Sequence, residues 1–325
     1  MTRQRPRLFL IDGSCYIYRA FFALPPAVNS AGFPTNATYG FIGFMLKLLK
    51  RYQPEYLAVV LDAGRETFRH QIFVDYKSNR RQAPADLIAQ LPYIRRALEA
   101  FNIAALELPG YEADDLIGTI CETLCDEDCD LVVVSSDKDL MQLVTDKVTL
   151  LDSMRERWLG THEVIARFGV EPKRIAEVLG LMGDAVDNIP GVKGVGQKTA
   201  IALMQQFRCL EDLYHNLEQL QQTNLRGVAR LREALQNGKE TAFLSRDLAT
   251  IKKNVPMQID LGQLQFKGPT RNRLRSLFAE LEFNNLVKLL DHRLEFTSDL
   301  GLVPVPQRPV PKESPSLQLE LFSWK

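Results

Sequence analysis

Nine acidic side chains, Asp12, Asp62, Glu112, Asp114, Asp115, Asp137, Asp139, Asp184 and Asp187, fall within 176 residues. Nearly every one ends an apolar run or opens a helix-like segment. Carboxylates at strand ends of an α/β sheet converge on the edge where ligands bind. Gathered there, they repel one another unless cations sit between them. Oxygen-only ligation selects Mg²⁺ or Mn²⁺ over zinc, and His70, His162, His215 and His292 lie too far apart in sequence to form a metal-binding pair. Two hard ions about 4 Å apart can activate a water and stabilise the leaving oxygen of an in-line phosphoryl displacement. The chemistry to expect is hydrolysis of a phosphate ester without a covalent enzyme intermediate.

Each cluster also has a plain structural explanation. Asp137-Lys138-Asp139 follows the apolar run Leu131 to Val134 and the serines Ser135 and Ser136, where two carboxylates can reach adjacent ions or bracket one. An exposed turn with an Asp helix cap accounts for it equally. Glu112-Ala113-Asp114-Asp115 opens a helix after Pro109-Gly110, and a helix dipole favours acids there whatever they bind. Asp184 and Asp187 form an i, i+3 pair that points one way on a helical turn. Capping explains any one cluster, but not all of them together with Asp12 and Asp62.

The elements that must position these acids alternate through the first half. Leu8 to Ile11, Tyr56 to Leu61, Ile103 to Leu106 and Leu131 to Val134 read as buried strands; Ala37 to Arg51, Asp86 to Phe101 and Glu112 to Cys125 read as helices. Strand and helix in turn predict an α/β fold with a mostly parallel central sheet flanked by helices. Beyond about residue 155 the pattern is helical through Leu290, and from Val303 a run of prolines marks an extended linker. The division expected is an α/β core over residues 1–155 with an insertion at about 63–86, a helical region over 156–293, and a linker and tail over 294–325.

Formal net charge is zero, which at first argues against nucleic acid. Excluding the nine acids leaves 40 basic residues against 31 acidic ones, and residues 193–293 hold 16 Lys or Arg against 10 Asp or Glu. A basic body around an acidic pit suits a phosphodiester substrate. Five cysteines with no secretory signal before Arg7 point to a reducing cytoplasm rather than a disulfide framework. Cys121, Cys125 and Cys129 recur every four residues and read as a packed stripe or helix end, since no His or fourth Cys completes a zinc site. No apolar run approaches the roughly 20 residues of a membrane helix, and a monomer is expected.

Between Asp62 and Asp86 the alternating rhythm stops in a basic and aromatic stretch holding Tyr76, Lys77, Arg80 and Arg81; a solvated basic face is its plain reading. Tyr18 and Arg19 lie on the helix after Asp12, where an exposed aromatic can stack on a base. The turn Pro190 to Gly196 is not a P-loop, because Gln197 precedes Lys198 and no strand leads into it. Its backbone N–H groups and the following helix are suited to grip a phosphate independently of sequence.

Taken in order, Ile11-Asp12-Gly13, Tyr18-Arg19-Ala20-Phe21, Tyr39-Gly40-Phe41, Phe68-Arg69-His70, Tyr76-Lys77, Gly110 to Asp115, Asp137 to Leu140, and Gly183-Asp184 through Gly194 resemble the 5′ nuclease domain of bacterial DNA polymerase I. That domain belongs to the flap endonuclease superfamily, and the resemblance covers about residues 7–293. It implies a Mg²⁺-dependent 5′-3′ exonuclease and 5′ flap endonuclease of primer removal and repair, with a PIN-like core and a helical arch. It assigns Asp12, Asp62, Glu112, Asp114 and Asp137 to a first ion with Asp115 close by, and Asp139, Asp184 and Asp187 to a second. Asp137 and Asp139 would serve catalysis with Lys77 and Arg80, which match the basic positions of the arch. Gly191, Lys193, Gly194, Gly196 and Lys198 match a helix-hairpin-helix that holds duplex DNA and in relatives often binds K⁺.

No polymerase domain follows, so the chain is expected to be either a stand-alone nuclease or the front of a larger enzyme. Gln318-Leu319-Glu320-Leu321-Phe322 resembles the pentapeptide that docks bacterial replication proteins in the sliding clamp; an incidental apolar end is the alternative. A PIN-like RNA nuclease and a non-catalytic DNA scaffold are the rival functions. The first is disfavoured by the helical hairpin region, the second by retention of all nine acids.

Overall fold

The computed structural model describes residues 5–222 and 225–293. Short runs rich in Val, Leu and Ile make strands buried on both faces. The order is β1 (Arg7–Asp12), α1 (Gly13–Ala23), α2 (Asn36–Tyr52), β2 (Tyr56–Val60), α3 (Phe68–Ile72), α4 (Ala85–Phe101), β3 (Ala104–Leu106), α5 (Ala113–Thr123), β4 (Asp130–Val134), β5 (Val148–Asp152) and β6 (Arg157–Leu159). One sheet runs β3-β2-β1-β4-β5-β6, parallel throughout except for the antiparallel β5–β6 pair.

Period-two alternation divides the core between the faces of the sheet. Leu8, Leu10, Val60, Leu131 and Val133 pack with Leu116, Ile117 and Ile120 of α5. Phe9, Ile11, Val59, Val132 and Val134 pack with α1, α2 and α4. In α2 the buried residues Phe41, Ile42, Met45, Leu46 and Leu49 recur at helical spacing. The helix stops at Gln53, whose φ of 43° is left-handed, just before Pro54.

α6 (Thr161–Phe168), α7 (Ile175–Met182), α8 (Gln197–Gln206), α9 (Leu210–His215), α10 (Val228–Asn237) and α11 (Lys239–Ala249) extend the α5 side of the core. α12 (Arg271–Glu280) and α13 (Asn284–Arg293) instead return to the opposite side, where Leu274, Leu277 and Phe278 join the α2–α4 cluster. The link is fixed by Phe266 N–H donating to Glu55 O and Thr270 N–H donating to Ala100 O, both at 2.8 Å.

Two expectations change. The sheet continues to Leu159, so residue 155 lies inside the β5–β6 hairpin rather than at a boundary. The insertion after Asp62 is helical only over Phe68–Ile72 before α4 begins at Ala85, with a run of turns at 74–79 and irregular backbone elsewhere. The spaced cysteines do fall at a packed helix end: Cys121 lies in α5, which ends at Thr123, and Cys121 and Cys129 are buried in the core. The tail residues Gln318, Leu319, Leu321 and Phe322 lie outside the described residues.

Candidate active site

β1 is flanked by β2 on one side and β4 on the other, so the chain's direction across the sheet reverses there. A crevice opens at the carboxyl ends of strands at such a point. Asp12 ends β1; its Oδ1 accepts the Cys15 N–H at 3.0 Å and its Oδ2 accepts the Ser135 hydroxyl at 2.7 Å. Ser135 Oγ in turn accepts the Asp137 N–H at 3.0 Å, and Asp137 Oδ1 accepts the Asp139 N–H at 2.9 Å. One serine thus ties the acid after β4 to the acid after β1. Asp62, just past β2, accepts the Ala113 N–H at 2.8 Å, which caps α5 and brings Glu112 and Asp114 to the same edge.

The acids act on one another through Asp137. Burial pushes Asp12 up to about 7 against the effect of its two hydrogen bonds, and Asp137 and Asp62 add to the rise. Burial lifts Asp114 well above the usual carboxylate range, with Asp137, Asp12 and Glu112 contributing. Asp139 is pushed up to about 8 by burial, then by Asp137, with Asp184 and Asp187 adding and Lys138 opposing. Its Oδ1 is buried without a hydrogen-bond partner, and such an atom costs stability unless something else satisfies it.

Cations of the chain itself stand among these groups. Lys77 Nζ lies 2.5 Å from Glu112 Oε1 and 3.5 Å from Asp187 Oδ2. Arg80 pairs with Asp187, and Lys138 Nζ reaches Asp184 Oδ2 at 2.6 Å. Arg19 donates to Ser136 Oγ at 2.9 Å, beside Asp137. With these side chains in place, no three carboxylate, imidazole or thiolate groups among the described residues are gathered as an ion would hold them. The donor set still fits a hard divalent ion: it is all oxygen, its charges are mutually repelling, and one buried oxygen lacks a partner.

Four assignments are corrected. Asp115 is turned away from the other acids: its two oxygens accept Arg69 at 2.7 and 2.8 Å, the Lys252 N–H at 2.9 Å and the Glu112 N–H at 3.2 Å, so it is no direct ion ligand. Tyr76, expected among the DNA-contacting residues, is buried with its hydroxyl donating to Glu112 at 3.1 Å, so it presents no surface to DNA. Asp184 and Asp187 lie not on a helical turn but on a loop closed by paired Asp184–Ile189 backbone hydrogen bonds, and they engage different cations. Gly191 cannot offer its N–H to a phosphate, because Ser245 Oγ accepts it at 2.9 Å.

The remaining nominees are on the surface. Tyr18 is 43% exposed, and Arg81, Lys193, Gly194, Gly196 and Lys198 are exposed. Lys193 and Gly194 border an open groove of about 1240 Å³ that Arg226 and Arg230 also line. Sequence reasoning missed Ser135, Arg69 and Lys138 as parts of the site. Lys138 was marked by its two flanking aspartates and Arg69 by its place in Phe68-Arg69-His70, whereas Ser135 left no signal of its role.

Similarity to solved structures identifies the fold as that of the flap nucleases. The T5 D15 protein co-crystallised with metal ions matches with a TM-score of 0.63 at 19% identity, over 87% of this chain and 99% of that one. The catalytic core of Rad2 in complex with DNA substrate matches at 0.59 and 18%, over 89% and 93%. Residues 7–169 match the 5′-3′ exonuclease N-terminal resolvase-like domain and residues 170–272 the 5′-3′ exonuclease C-terminal SAM fold, so the chain belongs to the 5′-3′ exonuclease family. The 5′-3′ exonuclease of Aquifex aeolicus (strain VF5) is 40% identical over 87% of this chain and 95% of its own. DNA polymerase I of Bacillus subtilis (strain 168) is also 40% identical, over 88% of this chain, which spans 32% of that polymerase.

Proposed function

We propose that this protein is a Mg²⁺-dependent, structure-specific 5′ nuclease that hydrolyses DNA at flaps, nicks and 5′ ends during primer removal and repair. The observation that carries the reading is the acid cluster centred on Asp137, with the unpartnered Asp139 Oδ1 at its inner end. Asp12, Asp62, Glu112, Asp114 and Asp137 would hold one ion, and Asp139, Asp184 and Asp187 a second. Asp137 raises Asp12, Asp114 and Asp139 alike and so stands between the two groups, with Asp62 adding at Asp12, and Asp184 and Asp187 adding at Asp139. Mn²⁺ suits the same oxygens. Bound ions supply Lewis acidity toward the phosphodiester and offset the charge that develops during its substitution.

The chain's own residues do the rest. Burial works to lower the Lys77 ammonium, but Glu112 and Asp187 outweigh it, so Lys77 remains a cation. With Arg80 it offers positive charge to a phosphate at the mouth of the site. The exposed Tyr18 stacks on the base beside that phosphate, with Arg19 and Arg81 along the strand's path. Lys193, Gly194, Gly196 and Lys198 hold the duplex backbone, with K⁺ at the same hairpin. The pentapeptide Gln318 to Phe322 tethers the enzyme to the sliding clamp through the proline-rich linker. Location in the bacterial cytoplasm with the nucleoid follows from this role; no described helix is long and apolar enough to cross a membrane.

One assay tests the proposal: 5′-labelled flap DNA, the matched single strand and the RNA equivalent, with Mg²⁺ and with chelator. Flap cleavage that vanishes with chelator is expected. Cleavage indifferent to chelator would refute metal dependence, and preference for RNA would refute the substrate.

A further inference from the structure

Contacts other than charge join the turn bearing Lys77 and Arg80 to the loop bearing Asp187. Asn188 donates from Nδ2 to Asp75 O at 2.7 Å and to Ser78 Oγ at 3.0 Å. Asn79 donates from Nδ2 to Ala185 O at 2.6 Å, and the Lys77 N–H donates to Asp187 O at 2.9 Å. Lys77 and Asn188 both have left-handed backbones, with φ of 53° and 55°. Residues with side chains hold that conformation where surrounding contacts fix them in it.

Among the described residues, the ion pairs of Lys77 and Arg80 are with Glu112 and Asp187. A divalent ion claiming those carboxylates competes with both ion pairs, because each carboxylate's attraction is shared among its cations. Amide-to-carbonyl hydrogen bonds do not compete in this way. We infer that Asn188 is a positioning residue, a latch that keeps the 75–80 turn, and with it Lys77 and Arg80, over the site after ions have taken the acids. The inference rests on the acids being ion ligands as proposed above. Its physical value is pre-organisation: a catalytic cation that must be re-ordered at every turnover loses much of its effect.

Two variants test it in the intact protein. Asn188→Gly keeps the left-handed backbone at no steric cost and removes the donors. Asn188→Asp keeps size and backbone tolerance but replaces the donating amide with an acceptor that faces Asp75 O. The first readout, taken without DNA, is acylation of the Lys77 amine, followed by mass spectrometry with and without Mg²⁺. Wild type should show slow Lys77 labelling in both conditions. Both variants should show labelling accelerated by Mg²⁺ about tenfold or more, as losing two hydrogen bonds toward the lower end of their ordinary net strength already gives about tenfold.

The second readout is flap cleavage, in which kcat should fall about tenfold with KM within about twofold. Wild-type labelling rates with Mg²⁺ in both variants would overturn the latch. So would wild-type behaviour of Asn188→Gly alone, since it would reduce Asn188 to a backbone requirement. Failure of the wild type to cut flap DNA would count against the nuclease reading instead, and the labelling would still decide the latch.

Discussion

Arg69 and Asp115 meet in a two-pronged contact at 2.7 and 2.8 Å, both side chains fully buried. Arg69 also donates to Leu248 O and Thr250 O at 2.8 and 2.9 Å, so the pair binds α3, α5 and the end of α11 into one unit. Asp115→Asn leaves that guanidinium buried with its main counter-charge gone. We expect a loss of about 3 kcal/mol in urea unfolding with an unchanged m-value. A loss under about 1 kcal/mol would mean that Glu112, 3.4 Å from Arg69, replaces the partner.

Asp139→Asn should abolish cutting and leave DNA binding intact, as read by flap cleavage and by anisotropy with labelled duplex. Neutralising Asp139 also relieves its repulsion by Asp137, Asp184 and Asp187. The metal-free variant should therefore melt above the wild type at high pH. Undiminished turnover would remove Asp139 from the catalytic set.

Metal-free stability should fall as pH rises. Asp12 and Asp139 titrate at about 7 and about 8 in the folded protein, against 3.8 ordinarily. Between about pH 4 and 8 the folded chain holds protons that the unfolded chain has released, so raising pH favours unfolding across that window. Thermal melts in chelator from pH 4.5 to 9 check this. Mg²⁺ competes with those protons, so it should raise Tm more at pH 8 than at pH 5. A chelated Tm that climbs toward pH 8 would contradict the buried, repelling arrangement.

Two glycines in one hairpin should respond differently to alanine. Gly191 has φ of 64°, and a Cβ there would collide with backbone atoms of Gly183 and Met182, so Gly191→Ala should cost more than about 3 kcal/mol. Gly194 has φ of 87° but open space around it, so only backbone strain of about 1 kcal/mol is expected. Urea unfolding of both variants measures the difference.

The parallel core was legible because strands buried on both faces leave unbroken apolar runs, as at Leu131 to Val134. β5 and β6 were not anticipated: Val148 to Asp152 includes polar Thr149, and Arg157–Leu159 spans three residues at the sheet edge. Asp12, Asp62, Glu112, Asp114 and Asp137 could be nominated because strand ends and helix starts fix where a side chain begins. Asp115 could not be separated from Asp114, since one residue along a helix turns a carboxylate by about 100° and only tertiary packing shows what it meets. Tyr76 looked like a surface aromatic among cations, and nothing local revealed the pocket that buries it.

α12 and α13 hold none of the nine nominated acids and no proposed DNA contact, yet Leu274, Leu277 and Phe278 cover α4 on the far side of the sheet from α5. During synthesis from the N-terminus, every nominated carboxylate has left the ribosome before those helices exist. The nascent chain therefore carries all nine nominated acids while the apolar flank that α12 and α13 will cover is still open. Ribosomal pausing in that interval is when aggregation or chaperone capture has its opportunity.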